Sequence, residues 1–374
     1  MSKGNVLALH GGYFTENFGD ELLLAIHAKW VKEILDAEVV LPFGEVIYDQ
    51  EVDAKAIKGL QGLRIARKLI YSGGGYFGEP NHKSLKWGFA FFKRLHFLPA
   101  EYFKLSRKPY AIIGVGAGPL SNWFTRKAVL RICKHAKLIA VRDEESKSFL
   151  SEYGINPEKI HVTADMVLSL TTDDLNEEAI KEASKLLQAA QGKKIVGVHL
   201  AVSKNDPFYG QKSDYISKGI VEFFNKHKDF IPVLIADKRN CAEQNSILEE
   251  LKNSLINKYI VYKHQNIWLT CAILSQLDSV FTTKLHVGIT AYSLGTKMLS
   301  IAAHQKTLRF YSQIQQPENC IPLSDLNSTE MFTQLFTQFV NSDVNIEKYK
   351  DIRESIRQKS LMNKILTKDF LLNH

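Results

Sequence analysis

Residues 279–294 have the sequence SVFTTKLHVGITAYSL, in which a short apolar run gives way to a helical pattern near Lys284. Residues 279–281 predict the end of a buried strand, and residues 287–294 predict the helix that follows. The longer interval 279–316 contains no Asp or Glu, but it carries basic side chains at Lys284, His286, Lys297, His304, Lys306 and Arg309. Ligands of α/β proteins bind where strands end, and the first N–H groups of a helix favour an anion. The pattern predicts a phosphate or carboxylate site; the alternative is a solvated basic face, since lysine is usually exposed.

The same alternation of strand and helix runs through the whole chain. Predicted strands cover residues 5–10, 69–72, 110–115, 137–141, 160–162, 194–200, 231–236, 259–262, 279–281 and 297–301. Most of them end in Gly or polar residues, and helical patterns such as residues 20–35 and 144–153 follow. These features predict an α/β fold of the GT-B type, with two Rossmann-like parallel-sheet domains facing a central cleft, although periodicity leaves other two-domain folds open.

Length and composition agree with two domains. The chain has 374 residues, of which 45% are hydrophobic, and residues 171–194 interrupt the two series of strands. We expect domains at residues 1–175 and 176–325, with helices at residues 326–374 that pack back toward the first domain. A formal net charge of +8 suits nucleic acid, an anionic membrane surface or anionic small substrates.

The cysteine pattern and the apolar runs indicate the cellular compartment in which the protein is found. None of the four cysteines lies in a Cys-x-x-Cys pair, so we expect no zinc cluster, no metal site and a reducing compartment. The N-terminus lacks the apolar core of a signal peptide, and no apolar run reaches the roughly 18 residues that a spanning helix needs. We therefore expect a cytoplasmic protein.

Three loops combine glycine with polar residues at strand ends. The first contains Asn17-x-Gly19-Asp20, where Asn17 or Asp20 caps a helix or Asp20 faces the cleft as an acid, base or acceptor contact. The second is Gly73-Gly74-Gly75, and the third is Gly114-x-Gly116-x-Gly118-Pro119. Glycine permits close approach of a ligand to the backbone, or simply tight turns. Neither glycine loop is a phosphate-binding Walker motif or a full dinucleotide fingerprint.

These loops occur in one order with Val141-Arg142-Asp143, Ala164-Asp165 and Leu285-His286 followed by Gly295 and Lys306. Together they resemble the polysaccharide pyruvyl transferase family over about residues 5–310. The resemblance implies transfer of a pyruvyl group from phosphoenolpyruvate to two hydroxyls of a sugar in a surface-glycan precursor. The product is a cyclic ketal, phosphate is released, and no cofactor is needed. It also implies that the first domain holds the acceptor and the second the anionic donor.

The resemblance carries anion binding over to Arg142, His286 and Lys306, and the residues and the chemistry themselves indicate the other candidates. Candidate catalytic residues are His286 and Asp20. Donor or anion binding falls to Arg142, Lys284, His286 and Lys306; the acceptor side has Asn17, Asp20 and Glu79; and the backbone loops present Gly74, Gly75, Gly116 and Gly118. Where the family commonly has Arg two residues before the histidine, this chain has Lys284, which keeps the charge but cannot form a bidentate fork. The structural alternatives are a backbone-bonded His286 and a surface pair of Arg142 with Asp143 or Glu144.

Residues 81–108 combine seven basic residues with aromatic ones and a single acid, Glu101. Such a segment can lie on an anionic membrane, which would place the enzyme at the inner face of the plasma membrane, or it can be a core helix with inward aromatics. No nucleic-acid-binding motif accompanies it.

Two other functions remain open. A GT-B glycosyltransferase would use a nucleotide sugar, for which Asp237 could supply the carboxylate that the interval 279–316 lacks. The other function is that of a non-catalytic, glycan-binding member of the family. It is supported by Lys284, which stands where the family commonly has arginine.

Overall fold

The computed structural model describes residues 5–13, 16–44, 52–78, 96–201, 210–342 and 349–374. The chain forms two compact units. The first comprises Met1–Glu16, Asp20–Ser169 and Arg357–His374, and the second comprises Asn17–Gly19 and Leu170–Ile356. Among the helices described, none has both the length and the apolar character needed to cross a membrane.

The first unit is built on a parallel sheet. Its strands are β1 (Val6–His10), β2 (Glu38–Val40), β3 (Lys68–Tyr71), β4 (Gly74–Phe77), β5 (Tyr110–Ala117), β6 (Leu138–Val141) and β7 (Ile160–Val162). Its helices are α1 (Phe18–Leu35), which starts in the second unit, α2 (Gly59–Ile65), α3 (Leu98–Leu105), α4 (Trp123–His135) and α5 (Glu144–Glu152). The strand order is β2-β1-β3-β5-β6-β7, and β4 pairs with β5.

Burial explains the strand positions in this sheet. Every residue of β5 is buried, as expected of a strand covered on both faces in a parallel sheet. The chain runs from β1 outward to β2 and then returns to β3 on the other side of β1. The carboxyl ends of β1 and β3 therefore flank a topological switch point, where ligands of such folds bind.

The second unit repeats this architecture. Its strands are β8 (Lys194–His199), β9 (Phe230–Ala236), β10 (Ile260–Lys263), β11 (Ser279–Thr282), β12 (Lys297–Ala302) and β13 (Cys320–Pro322), in the order β10-β9-β8-β11-β12-β13. Its helices are α6 (Glu177–Leu187), α7 (Gly210–Lys226), α8 (Ala242–Ser254), α9 (Ile267–Ser275), α10 (Leu285–Ser293), α11 (Gln305–Gln313) and α12 (Thr329–Asn341). The pairings between these six described strands are all parallel. Here the switch point lies between β8 and β11.

The C-terminal helices are divided between the units. Helix α12 packs on α7 in the second unit, where the Phe336 ring lies 4.9 Å from that of Phe223. Helix α13 (Lys350–Asn373) passes into the first unit at Arg357. The aromatic face of α12 fills the core of the second unit, and most of α13 belongs to the first unit.

Polar side chains fix the end of α13 in the first unit. Thr367 Oγ1 lies 3.1 Å from Nε2 of His27, whose Nδ1 lies 2.7 Å from Ser72 Oγ. Ser360 Oγ donates to the Asp165 carbonyl at 2.7 Å. These buried contacts connect the last helix to α1, β3 and the loop after β7.

Candidate functional site

In the second unit, the carboxyl ends of β8 and β11 are joined by side chains. The last residue of β11, Thr282, places its Oγ1 3.0 Å from Nδ1 of His199, the last residue of β8. The same oxygen accepts the backbone N–H of Lys284 at 2.9 Å. Helix α10 begins one residue later, so its first N–H groups, which have no partner within the helix, lie at the switch point.

A buried carboxylate occupies the same edge of the sheet. Asp237 follows β9 directly, and its side chain is only 3% exposed. Its Oδ1 accepts from Nε2 of His199 at 3.1 Å and from Nε2 of Gln244, and its Oδ2 lies 3.4 Å from Nζ of Lys284. Burial alone would raise the pKa of Asp237, but the charges of Lys284 and His199 and the two hydrogen bonds hold it well below its usual range. Asp237 is therefore an ionised residue that positions Lys284 and His199.

His286 lies in the first turn of α10 and is packed against the start of α1. A Cβ added at Gly19 would lie 2.5 Å from Cβ and from Nδ1 of His286, so only glycine fits there. The preceding residue, Phe18, donates its backbone N–H to the Asp237 carbonyl at 2.9 Å. Asn17 forms an antiparallel bridge with Lys238. The Asn17–Gly19 segment thereby fixes the position of the His286 ring.

The two other lysines of the acid-free interval differ in role. Lys306 is exposed and lies in the first turn of α11, after the carboxyl end of β12. Lys297 begins β12, at the opposite edge of the sheet, and its Nζ donates to the carbonyls of Val340 and Ser342. Lys306 is thus placed for a ligand at the carboxyl edge, whereas Lys297 caps the end of α12.

In the first unit, Asp20 lies close to the glycine loop after β1. A Cβ added at Gly12 would lie 3.1 Å from both Asp20 carboxylate oxygens. The charge of Asp20 also helps to raise the pKa values of Tyr13 and Tyr76, after the larger effect of burial. Tyr76 donates its hydroxyl to the Ser72 carbonyl at 2.7 Å. Asp20 is therefore a carboxylate at the switch point between β1 and β3, the position predicted for acceptor contact.

Arg142 follows β6 and is buried. Its guanidinium contacts Asp165 at 3.3 Å and Asp143 at 3.6 Å, so the pairing is internal and not the surface pair considered as an alternative. A Cβ at Gly116 would lie 2.6 Å from Nε, and one at Gly75 would lie 3.3 Å from an η-nitrogen. The two glycine loops therefore make room for this side chain.

Two other loop glycines have a conformational role. Gly74 has φ of 125° and Gly118 has φ of 73°, in the region that disfavours other residues. Both lie at or beside the β4–β5 pairing, so they shape the loops that surround Arg142.

Some predictions stay predictions. Arg142 belongs to the first unit, whereas Lys284, His286 and Lys306 belong to the second, and their convergence on one donor is untested. Glu79 and residues 79–95, which include most of the basic aromatic segment, lie outside the described residues.

His199 and Gln244 were not identified from the sequence as site residues, and Asp237 was mentioned only as a substitute carboxylate. The signal for His199 and Asp237 was available, since each is a polar residue at a predicted strand end.

Solved structures similar to the whole chain include UDP-GlcNAc 2-epimerases and HepE, some of them in complex with UDP or a UDP-sugar. UDP-GlcNAc 2-epimerase from Neisseria meningitidis, bound to UDP-GlcNAc, has a TM-score of 0.65 at 14% identity, with 99% of this chain and 100% of that chain covered. UDP-GlcNAc 2-epimerase from Methanocaldococcus jannaschii has a TM-score of 0.61 at 12% identity, with 97% of this chain and 99% of that chain covered. HepE from Anabaena, in complex with UDP, has a TM-score of 0.62 at 13% identity, with 98% of this chain and 99% of that chain covered.

These similarities concern the fold alone, and they confirm the predicted GT-B-like class of two parallel-sheet α/β domains. No curated protein sequence gives a significant match to the chain. The family model of polysaccharide pyruvyl transferases matches residues 17–305, which include the Asn17–Gly19 segment, Arg142 and the start of α10. The chain therefore belongs to the polysaccharide pyruvyl transferase family.

Proposed function

We propose that this protein transfers a pyruvyl group from phosphoenolpyruvate to two hydroxyls of one sugar in a surface-glycan precursor. A proton adds to the methylene carbon of the donor, and the first sugar oxygen bonds to the central carbon. The bond from that carbon to the phosphate oxygen then breaks, and the second sugar oxygen closes the ketal. One hydroxyl proton balances the new methyl group, and the other leaves with phosphate.

The second unit supplies the groups that this chemistry needs. Phosphoenolpyruvate carries a phosphate and a carboxylate, and the start of α10 offers backbone N–H groups together with Lys284. His286 lies in the same helical turn, and an imidazole can act as a general acid or a general base. Lys306 is an exposed cation beyond the same sheet edge. The observation that carries the proposal is that Lys284 and His286 open a helix at the switch point, in a chain of this family.

Each side chain of the first unit has a distinct proposed role. Asp20, beside the glycine loop at the switch point, accepts a proton or a hydrogen bond from an acceptor hydroxyl. Asn17, which belongs to the second unit, precedes Asp20 in the chain and is a further acceptor-side candidate, and Arg142 is the anion-binding candidate of the first unit. The guanidinium of Arg142 forms an ion pair with Asp165, which orients it. An anion would therefore bind to a guanidinium that is already in position.

A glycosyltransferase using a nucleotide sugar is the second candidate, because the similar folds include complexes with UDP. Asp237 was the example of a carboxylate that could bind the donor ribose in place of an acid in the interval 279–316. That carboxylate is buried and bonded to His199, Gln244 and Lys284, so it has little capacity left for a ribose hydroxyl.

Ligand-induced stabilisation separates the two candidates without knowledge of the acceptor. A ligand that binds only the folded protein raises its melting temperature. We expect phosphoenolpyruvate to raise the melting temperature of the wild-type chain, and inorganic phosphate to do so more weakly. Stabilisation by UDP and UDP-sugars, with none by phosphoenolpyruvate, would replace the proposed function by the second candidate.

A further inference from the structure

Helix α4 presents a stripe of exposed aromatic and basic side chains. Trp123 is 48% exposed and Phe124 is 43% exposed, although both are large and apolar. Their ring centroids lie 3.7 Å apart, and Nζ of Lys127 lies 4.6 Å from the Trp123 ring. Arg131 and Lys134 continue the stripe toward the end of the helix and are exposed as well. Exposed aromatics of this size, flanked by cations, indicate a binding surface.

Helix α3 extends the same surface. Two hydrogen bonds, at 2.7 and 2.6 Å, join Arg131 to Glu101 of α3. Lys104, one turn further along α3, is close enough to lower the pKa of His135 in α4, after the larger effect of burial. Beside these contacts, α3 exposes Leu98 at 47% and Leu105 at 79%. We define the α3–α4 surface as Leu98, Lys104, Leu105, Trp123, Phe124, Lys127, Arg131 and Lys134.

Glu101 of α3 pairs with Arg131, and the segment that follows Glu101 is basic. Residues 102–142 contain nine Lys and Arg residues and no Asp or Glu. Internal contacts occupy some of these cations: Arg131 pairs with Glu101, Lys108 donates to the carbonyls of Arg64 and Ala66, and Arg142 is buried. Exposed cations remain at Arg107, Lys127, Lys134 and Lys137. A partner of complementary charge is therefore anionic.

We propose that the α3–α4 surface docks on a bilayer that contains anionic lipid. Trp123 and Phe124 enter the headgroup layer with Leu98 and Leu105, while the surrounding lysines and arginines meet lipid phosphates. The two exposed leucines favour a bilayer over nucleic acid, because an aliphatic side chain buries area in the acyl boundary but offers no stacking face to a base. The assignment does not depend on which reaction the enzyme catalyses.

Vesicle sedimentation with the full chain tests this assignment. We expect the protein to sediment with vesicles of mixed phosphatidylcholine and phosphatidylglycerol, to remain in solution with phosphatidylcholine alone, and to be released by salt. Lys127→Glu with Lys134→Glu, and separately Trp123→Ala with Phe124→Ala, should each lower the partition coefficient roughly tenfold. Unchanged melting temperatures would show that the variants are folded, since these side chains are exposed.

Matched controls come from the second unit. Lys181→Glu with Lys185→Glu changes the charge by the same amount on the exposed face of α6, and Ile256→Ala removes an apolar side chain that is 86% exposed. Both should leave vesicle binding unchanged. Equal binding to neutral vesicles, no binding, or equal losses in the controls would overturn the proposal. So would tight binding of single-stranded oligonucleotides that the α4 variants abolish, with no effect of those variants on vesicles.

Discussion

The ammonium group of Lys284 lies 3.4 Å from Oδ2 of Asp237, although the sequence around Lys284 contains no acid. The carboxylate comes from the end of β9, two strands away from β11 in the sheet. Lys284 is thus held in place by a buried partner, and its charge is partly compensated before any donor binds. A donor anion would therefore depend more on the start of α10, His286 and Lys306 than the sequence alone indicates.

Removing Lys284 should destabilise the protein in a pH-dependent way. Lys284→Met leaves the Asp237 carboxylate buried with fewer compensating charges, and we expect a loss of about 1–2 kcal/mol in the free energy of unfolding at pH 7, since Lys284 is partly exposed. The pKa of Asp237 is lowered in the folded state, so its stabilising contribution is present above the unfolded value near 4 and is lost as the pH falls further.

The difference between wild type and Lys284→Met should accordingly shrink below about pH 4, as measured by urea unfolding. Lys181→Met, which removes an exposed pair with Glu177, is the control and should change stability by less than about 0.5 kcal/mol. A difference that stays constant down to strong acid would show that the Lys284–Asp237 pair is not the cause.

Lys284→Arg should preserve donor binding. If phosphoenolpyruvate is the donor, arginine retains the charge and adds a planar fork that suits carboxylate and phosphate. The stabilisation of the melting temperature by phosphoenolpyruvate should then equal or exceed that of the wild type. A large loss would mean that the site is built around the compact ammonium group and a different anion.

Gly19→Ala should impair catalysis through His286. The new Cβ would meet Cβ and Nδ1 of His286 at 2.5 Å, so the ring or the start of α1 must move. We expect a loss in kcat of at least about 100-fold, since small displacements of a reacting group are costly. Gly288→Ala in α10 is the matched control, because its Cβ meets Ser300 at an ordinary 3.4 Å. Equal activity of Gly19→Ala and wild type would contradict a direct role for His286.

Gly116→Ala should act on Arg142 in the same manner. Its Cβ would lie 2.6 Å from Nε, so the guanidinium must leave its position between the two glycine loops. We expect a lower kcat/KM for phosphoenolpyruvate and a modest loss of stability, because Asp165 is buried and loses part of its partner. Arg142→Lys should lower kcat/KM similarly without the steric clash. Wild-type kinetics in both variants would confine Arg142 to a structural role.

Buried histidines should make the first unit sensitive to acid. Burial lowers the pKa of His27 to about 3 and that of His96 to about 3, and it lowers the pKa of His10 as well. In the unfolded chain these histidines have pKa values near 6.5, so the unfolded chain binds protons at a higher pH than the folded protein does. The free energy of unfolding therefore falls as the pH drops from about 6.5 toward 3. His27→Gln should reduce this slope by up to about 1.4 kcal/mol per pH unit in urea unfolding. Equal slopes in His27→Gln and the wild type would contradict this origin.

The sequence predicts most strands, including the edge strands β7 and β10, but it misses β2, β4 and β13. The continuous apolar run at residues 110–115 is fully buried in β5, where burial on both faces leaves a strong pattern. Strands β2 and β13 have three residues each, and neither was predicted. The residues of strand β4 were interpreted as part of a glycine loop at a strand end, yet β4 pairs with β5. Short or glycine-rich strands depend on tertiary pairing and not on local propensity.

The same distinction applies to the site. The start of α10 beside Lys284 and His286 was predictable, because the change from strand to helix is local. The contact of Gly19 with His286 and the pairing of Lys284 with Asp237 were not, because each joins residues distant in sequence. Polar residues at successive strand ends are the sequence feature that would have identified His199 and Asp237.

The most direct measurement is the stoichiometry of phosphate release from phosphoenolpyruvate in the presence of glycan precursors that the protein accepts. We predict one phosphate released for each glycan that gains the mass of one pyruvate less one water, with the activity abolished in His286→Ala at an unchanged melting temperature. Transfer of a sugar from a UDP-sugar to the same precursors, with no phosphate released from phosphoenolpyruvate, would contradict pyruvyl transfer.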